Sequence, residues 1–250
     1  METGREVFQW LSAAAFIGLA LTTFSLWRRQ RERAEAHLAW AMALFGAAIL
    51  AGVIVARVYP SSAARLFPPQ AARIITPVLV VLGLYAFLLF LSDFIRFPAW
   101  ARALAVAGTV VMAALSAIER PDIALVNGQI TSVDVNNPMD FVFFVKALYI
   151  YLAIGFGVLA VSFGVYAVRV SQPARARMLT TSAGFLVLFV ASGIVPRVLI
   201  GRPSSSVILW IILLNQAFVF ASAPLLYFGF TPPQVLKRRA GRRGAVRHAA

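Results

Sequence analysis

The segment FVFFVKALYIYLAIGFGVLAVSFGVYAV, residues Phe141–Val168, contains a single charged side chain, Lys146. A helix rises 1.5 Å per residue, so about 20 apolar residues cross the roughly 30 Å hydrocarbon layer of a bilayer. The segment therefore predicts a transmembrane helix. Six further apolar stretches of this kind occur at Val7–Trp27, Leu38–Tyr59, Ile74–Ile95, Ala103–Ile118, Met178–Ile200 and Val207–Phe228.

These seven stretches decide the fold class. In lipid, a backbone satisfies its own polar groups only as a helix or a closed barrel, and the stretches do not alternate as barrel strands do. The chain is also 61% hydrophobic with a mean hydropathy of +0.83, more apolar than a soluble domain of 250 residues can bury. We predict an all-α, polytopic seven-helix bundle over residues 1–230, followed by a basic cytoplasmic tail over residues 231–250.

The distribution of positive charge predicts the orientation. Of the 23 Lys and Arg residues, 15 fall in the tail and in alternate links, and 8 fall on the opposite side. Cytoplasmic links carry the excess of Lys and Arg in membrane proteins. We therefore predict an N-terminus outside and a C-terminus in the cytoplasm. The Ala- and Arg-rich composition hints at a bacterium, so the membrane is predicted to be the inner (plasma) membrane.

The net charge of +14 is explained by this rule and by the tail, so nucleic acid is not an expected partner. The tail is predicted to lie on the anionic inner leaflet, since each cation near such a surface contributes about 1 kcal/mol. Its membrane-surface residues are Lys237, Arg238, Arg239, Arg242, Arg243 and Arg247.

The longest link, Glu119–Asp140, contains two β-prone runs on either side of Asn127-Gly128. This dipeptide suits the positive φ angles of a type I′ turn. We predict an external β-hairpin between the fourth and fifth helices, which either covers a ligand site or serves only as an ordered connector.

The chain lacks the residues that most membrane cofactors require. Cysteine is absent, and the two histidines, His37 and His248, lie outside the predicted spans, so neither haem nor a metal centre is expected. Retinal needs a lysine for its Schiff base, which in microbial rhodopsins is in the last span, and here that span has none. We find no P-loop, HExxH or GxSxG motif. The sequence predicts a protein that is not an enzyme and binds no cofactor or metal.

Three cations are predicted at similar depth near the outer side of the bundle. They are Arg57 in the second span, Lys146 in the fifth and Arg197 in the sixth. Ionisable groups inside a membrane are candidate functional residues, so these could bind a small anionic ligand, with Tyr149 on the same face as Lys146. The alternative is that they extend to lipid headgroups or pair with acidic residues.

Two amides, Asn215 and Gln216, lie near the middle of the seventh span, and Asn215 shares a face with Ser222. Such side chains either bond to a neighbouring helix or line a cavity. Asp93 precedes Arg96 by three residues, a spacing that predicts an ion pair on one helix at the membrane boundary.

The chain leaves its last span through Phe228-Gly-Phe-Thr-Pro-Pro-Gln-Val-Leu-Lys-Arg-Arg239. With seven spans and an outer N-terminus, it resembles the N-terminal sensory regions of bacterial signalling proteins, in which a similar exit leads to an output domain. Here the tail is too short for such a domain. The resemblance implies a receptor-like protein with an outward-facing pocket that signals through a membrane or cytoplasmic partner. The alternatives are a transporter or channel-like protein, and a structural subunit of a larger membrane complex.

Overall fold

The computed structural model describes residues 2–58, 70–118, 123–126, 129–133, 141–172, 174–201 and 205–230. Each predicted apolar stretch coincides with one long helix, except that Tyr59 lies outside the described residues and Asp93–Ile95 follow the end of the third helix. The helices are α1 (Glu2–Gln30), α2 (Arg33–Val58), α3 (Gln70–Ser92), α4 (Ala99–Ile118), α5 (Phe141–Arg169), α6 (Ala174–Gly201) and α7 (Ser205–Phe230).

All seven helices of the described chain are long and apolar enough to cross a membrane. Many large apolar side chains on them also face outward, including Leu21, Trp40, Val110 and Val161. A water-soluble protein rarely exposes so much contiguous apolar surface, whereas lipid tails solvate it. The prediction of a multi-pass helical membrane protein is therefore confirmed.

Six of the helices form a closed ring, and one lies outside it. Around the ring, α1 packs on α2, α2 on α3, α3 on α5, α5 on α6, α6 on α7, and α7 returns to α1. The remaining helix, α4, packs mainly on α3 and touches α5 only along a short stretch. The ring encloses the interior of the bundle, and α4 is peripheral.

Close helix packing in the ring depends on small residues. A Cβ on Gly83 of α3 would lie 2.6 Å from the ring of Phe45 on α2. A hydrogen at this position lets the two backbones approach, as small residues commonly do between membrane helices.

One end of the bundle, which we call the basic end, carries the link between α1 and α2 with its cations Arg28, Arg29, Arg31 and Arg33. There α1 continues to Gln30 and α2 begins at Arg33, so the helix is interrupted between them. The interruption is at Arg31, whose φ of 59° is left-handed and whose N–H bonds to the Trp27 carbonyl (2.7 Å). This is a helix-ending αL turn.

The predicted ion pair between Asp93 and Arg96 is wrong. Helix α3 ends at Ser92, so the helical spacing on which the prediction relied does not apply to these two residues. Asp93 instead accepts a hydrogen bond from Nδ1 of His37 on α2 (2.8 Å). The contact joins the beginning of α2 to the end of α3 at the basic end.

Between α4 and α5 the chain forms two short antiparallel strands, β1 (Ile123–Val126) and β2 (Gln129–Val133). Val126 pairs with Gln129, and the register shifts after Ala124, as it does when one strand carries a bulge. Asn127 and Gly128, where the turn was predicted, lie outside the described residues.

Candidate ligand pocket

The ring of helices encloses a pocket of about 280 Å³, here called the central pocket. It lies toward the end of the bundle opposite the basic end, which we call the pocket end. Residues from all six ring helices line it: Gln9, Phe45, Ala48, Ile49, Gly52, Thr76, Pro77, Val80, Leu148, Tyr149, Leu152, Phe156, Leu188, Ala191, Ser192, Asn215, Gln216 and Val219.

The lining is apolar apart from six hydrogen-bonding side chains on five helices. They are Gln9, Thr76, Tyr149, Ser192, Asn215 and Gln216. An apolar wall with a few convergent polar groups is typical of small-molecule sites. Among the described lining residues none is charged, so those side chains could bind a ligand by hydrogen bonds and apolar contact.

Asn215 is the most informative member of this set. Its residue is 9% exposed, and its Oδ1 is buried without a hydrogen-bond partner among the described residues. Leaving such a group unpaired costs about 1–3 kcal/mol. A ligand that donates a hydrogen bond to this oxygen would remove that cost.

Ser192 faces the same space from α6. Its hydroxyl donates to the Leu188 carbonyl of its own helix (2.9 Å), which fixes the position of the oxygen. The oxygen can still accept a hydrogen bond, so the pocket offers acceptors on both α6 and α7.

Half of the six predicted ligand-binding residues are brought together here. Tyr149, Asn215 and Gln216 line the central pocket. Asn215 lines this cavity. Ser222 on the same helix is also buried, but its hydroxyl bonds to the Val219 carbonyl of its own helix (2.7 Å).

The three predicted cations belong to helices that line the pocket. Lys146 precedes Tyr149 by one turn of α5, and Arg197 follows Ser192 by five residues, or about 7.5 Å, on α6. Arg57 likewise follows Gly52 on α2. Their side chains lie outside the described part of the chain, as do all of the tail residues predicted to contact the membrane.

Gln9, Thr76 and Ser192 were missed by the sequence analysis. Gln9 is an uncharged polar residue near the beginning of α1, and Thr76 immediately precedes Pro77 in α3. Hydroxyl and amide groups at helix ends are common, so only their convergence in space distinguishes these three residues.

Aromatic rings close the pocket on the side of the basic end. The ring centroids of Phe45 and Phe156, which line the pocket, lie 5.7 Å apart. Nearer to the basic end, Phe87 and Phe185 are in edge-to-face contact with a centroid distance of 5.1 Å. Phe163 stacks on Phe185 with a centroid distance of 5.7 Å. We call these five rings the aromatic floor.

The floor is tightly packed. Phe87, Phe163 and Phe185 are each 0% exposed, so no space large enough for a water molecule adjoins them. Phe90 continues the stack toward the basic end, 5.9 Å from Phe163 and 4.6 Å from Phe230. The central pocket therefore ends at the aromatic floor.

At the basic end, Arg177 of α6 connects to the last turn of α7. Its Nε donates to the Gly229 carbonyl (3.2 Å), and its Nη2 donates to the Phe230 carbonyl (2.6 Å). Carbonyls at a helix C-terminus lack partners within the helix, and a cation there also complements the helix dipole. Arg177 thus links α6 to the residues that precede the basic tail.

No metal-binding cluster of three or more His, Cys, Asp or Glu side chains is present among the described residues. Comparison with known proteins adds no relative: no protein-family model, curated protein or solved structure matches the chain.

Proposed function

We propose that the protein is a non-enzymatic, receptor-like sensor of the bacterial inner membrane. In this proposal the N-terminus, the pocket end and the β-hairpin face outward, and the basic tail faces the cytoplasm. The charge asymmetry of the links supports this orientation, because the basic end carries most of the cations. The resemblance of the sequence to bacterial sensory regions points in the same direction.

The observation that carries the proposal is the buried Asn215 oxygen, which has no hydrogen-bond partner in the described part of the chain and belongs to a pocket that the aromatic floor closes. A buried acceptor without a partner is unfavourable in the unliganded protein. A ligand that pairs with it is bound more tightly for that reason. The closed floor means that such a ligand would leave by the route through which it entered.

Two other functions fit these features less well. A transporter or channel needs a path to both sides, and the buried rings of Phe87, Phe163 and Phe185 separate the pocket from the basic end. A purely structural subunit would present its polar groups to partner helices. Asn215 and Ser192 instead face a cavity inside the ring of helices.

The size and lining of the pocket favour a small ligand with an apolar body. Its volume of about 280 Å³ is at or below the lower limit for pockets that hold drug-sized molecules, about 300–1,000 Å³. If Lys146, Arg57 and Arg197 turn toward the pocket, the ligand would be anionic. A hydroxy acid or amino acid would combine a hydrogen-bond donor for Asn215 with a carboxylate for the cations.

Ligand binding could reach the cytoplasm through α6 and α7. Both helices contribute to the pocket, and Arg177 joins α6 to Gly229 and Phe230 of α7. A displacement of α6 relative to α7 would move the point at which the tail begins. The tail, or the basic end, would then change its contact with a signalling partner.

The access test uses single cysteines, which are informative because the native chain has none. Ser192→Cys places a thiol in the pocket wall, Ser132→Cys one in the hairpin and Ala245→Cys one in the tail. Membrane-impermeant methanethiosulfonates are applied to right-side-out and inside-out vesicles. One reagent is anionic (sulfonatoethyl) and the other cationic (trimethylammonium ethyl).

We expect Ser192→Cys and Ser132→Cys to react only from outside and Ala245→Cys only from inside. Relative to Ser132→Cys, the pocket thiol should prefer the anionic reagent several-fold, because cations near a cleft attract anions. Adding Lys146→Met should reduce that preference. Reaction of Ser192→Cys from both sides would support transport instead. Reaction from neither side would refute an outward-facing pocket.

A further inference from the structure

A second cavity lies outside the ring, between α3, α4 and α5. It is a cleft of about 630 Å³, more than twice the volume of the central pocket, and we call it the lateral cleft. Its walls are largely apolar, with Leu84 and Leu88 from α3, Leu104 and Ala105 from α4, and Ile154 and Val158 from α5.

The lateral cleft is a wedge that narrows away from the basic end. At its narrow end α4 touches α5: a Cβ on Gly108 would lie 2.8 Å from the Tyr151 ring, and the Tyr151 hydroxyl is hydrogen-bonded to Thr109 Oγ1 (2.9 Å). Toward its own N-terminus α4 separates from α5, and Ala101 and Arg102 line the wide end.

The dimensions of the wedge fit the upper part of a lipid tail. Seven residues separate Ala101 from Gly108, or about 10 Å of helix, against about 15 Å for one leaflet of hydrocarbon. The contact between Gly108 and Tyr151 closes the cleft at a depth that an acyl chain would reach. The peripheral position of α4 leaves the remaining side accessible to the bilayer.

The cation at the wide end, Arg102, favours a lipid with an anionic headgroup. Arg102 lines the cleft and forms no ion pair with any residue in the described ranges. Trp100, 68% exposed, also lines the wide end, and tryptophan favours the headgroup level of a membrane. Basic pockets between membrane helices bind anionic headgroups.

We propose that the lateral cleft binds one acyl chain of an anionic phospholipid, whose phosphate contacts Arg102. The lipid fills the gap that α4 leaves against α5 and completes the packing of this helix. This site is separate from the central pocket, and the proposal does not rest on the receptor function.

The test uses the full-length protein in phosphatidylcholine vesicles that contain traces of a photoreactive lipid. The lipid carries a diazirine in one acyl chain and either a phosphatidylglycerol or a phosphatidylcholine headgroup. After irradiation, the labelled peptides are identified by mass spectrometry. We expect several-fold more label on α4 and α5 peptides with phosphatidylglycerol than with phosphatidylcholine.

Two matched pairs of variants locate the site. Ala105→Phe fills the cleft and should abolish the excess label, whereas Ala103→Phe, exposed on the same helix outside the lining, should retain it. Arg102→Gln leaves the packing intact and should reduce phosphatidylglycerol labelling to the phosphatidylcholine level. Arg169→Gln, an exposed cation on α5 away from the cleft, should not.

Equal labelling by the two lipids in the unsubstituted protein would overturn the proposal, because a cleft that holds an anionic headgroup at Arg102 must be labelled in excess by phosphatidylglycerol. An excess with phosphatidylglycerol that survives both Ala105→Phe and Arg102→Gln would overturn it as well, since the preference would then arise elsewhere on the protein.

Discussion

Replacing Asn215 with leucine tests whether the amide serves the pocket or holds the bundle together. The two side chains have similar volumes, and Oδ1 of Asn215 is buried without a partner among the described residues. Removing an unpaired buried polar group recovers its desolvation cost, about 1–3 kcal/mol. We therefore expect Asn215→Leu to stabilise the unliganded protein by about that amount, a change of five-fold or more in the unfolding equilibrium constant.

The measurement is reversible unfolding in mixed micelles, with the folded fraction followed by circular dichroism as the mole fraction of dodecyl sulfate rises. Ser222→Ala is the matched control on the same helix. Ser222 is also buried, but its hydroxyl already bonds to the Val219 carbonyl (2.7 Å), so its removal should not stabilise. If Asn215→Leu destabilises the protein by 1 kcal/mol or more, the amide is an interhelical bond and our assignment of Asn215 to a ligand is wrong.

Two further predictions concern packing and the tail. Gly83→Ala should destabilise the bundle by about 1–3 kcal/mol, because the added Cβ would lie 2.6 Å from the Phe45 ring. Gly18→Ala is the control: no atom lies within 4 Å of its Cβ position, so it should be neutral or stabilise by up to about 1 kcal/mol. Equal effects of the two substitutions in the same unfolding assay would contradict the packing. A fluorescent peptide of Lys237–Arg247 should bind anionic vesicles in a manner that weakens steeply with salt, and equal binding to neutral vesicles would rule out electrostatic attachment.

The sequence was sufficient to predict the seven helices but not their arrangement. Hydropathy and length identify a membrane span because lipid imposes both. In α5 and α7, however, apolar residues cover every face, since lipid and neighbouring helices are equally apolar. The pattern therefore does not show which face turns inward, and the sequence analysis did not place α4 at the periphery.

The site was partly predictable, because a polar side chain stands out within an apolar span. An amide in the middle of a span is conspicuous, so Asn215 and Gln216 were identified as polar groups that need an explanation. Gln9 lies near a chain end, where polar residues are ordinary. The pairing of Asp93 was mispredicted because the spacing rule assumes a continuous helix, and α3 ends one residue before it.

The aromatic floor also affects where the transmembrane electric potential drops across the protein. If the central pocket opens to the outer solution, as the proposed function requires, the electric field would fall mainly across the dry layer formed by Phe87, Phe163 and Phe185. Moving an elementary charge through the whole potential changes its energy by about 2.3 kcal/mol per 100 mV. A charged ligand that stops above the rings crosses little of that drop. The fraction of pockets that hold the ligand should therefore depend on the ligand concentration outside the cell and hardly at all on the membrane potential.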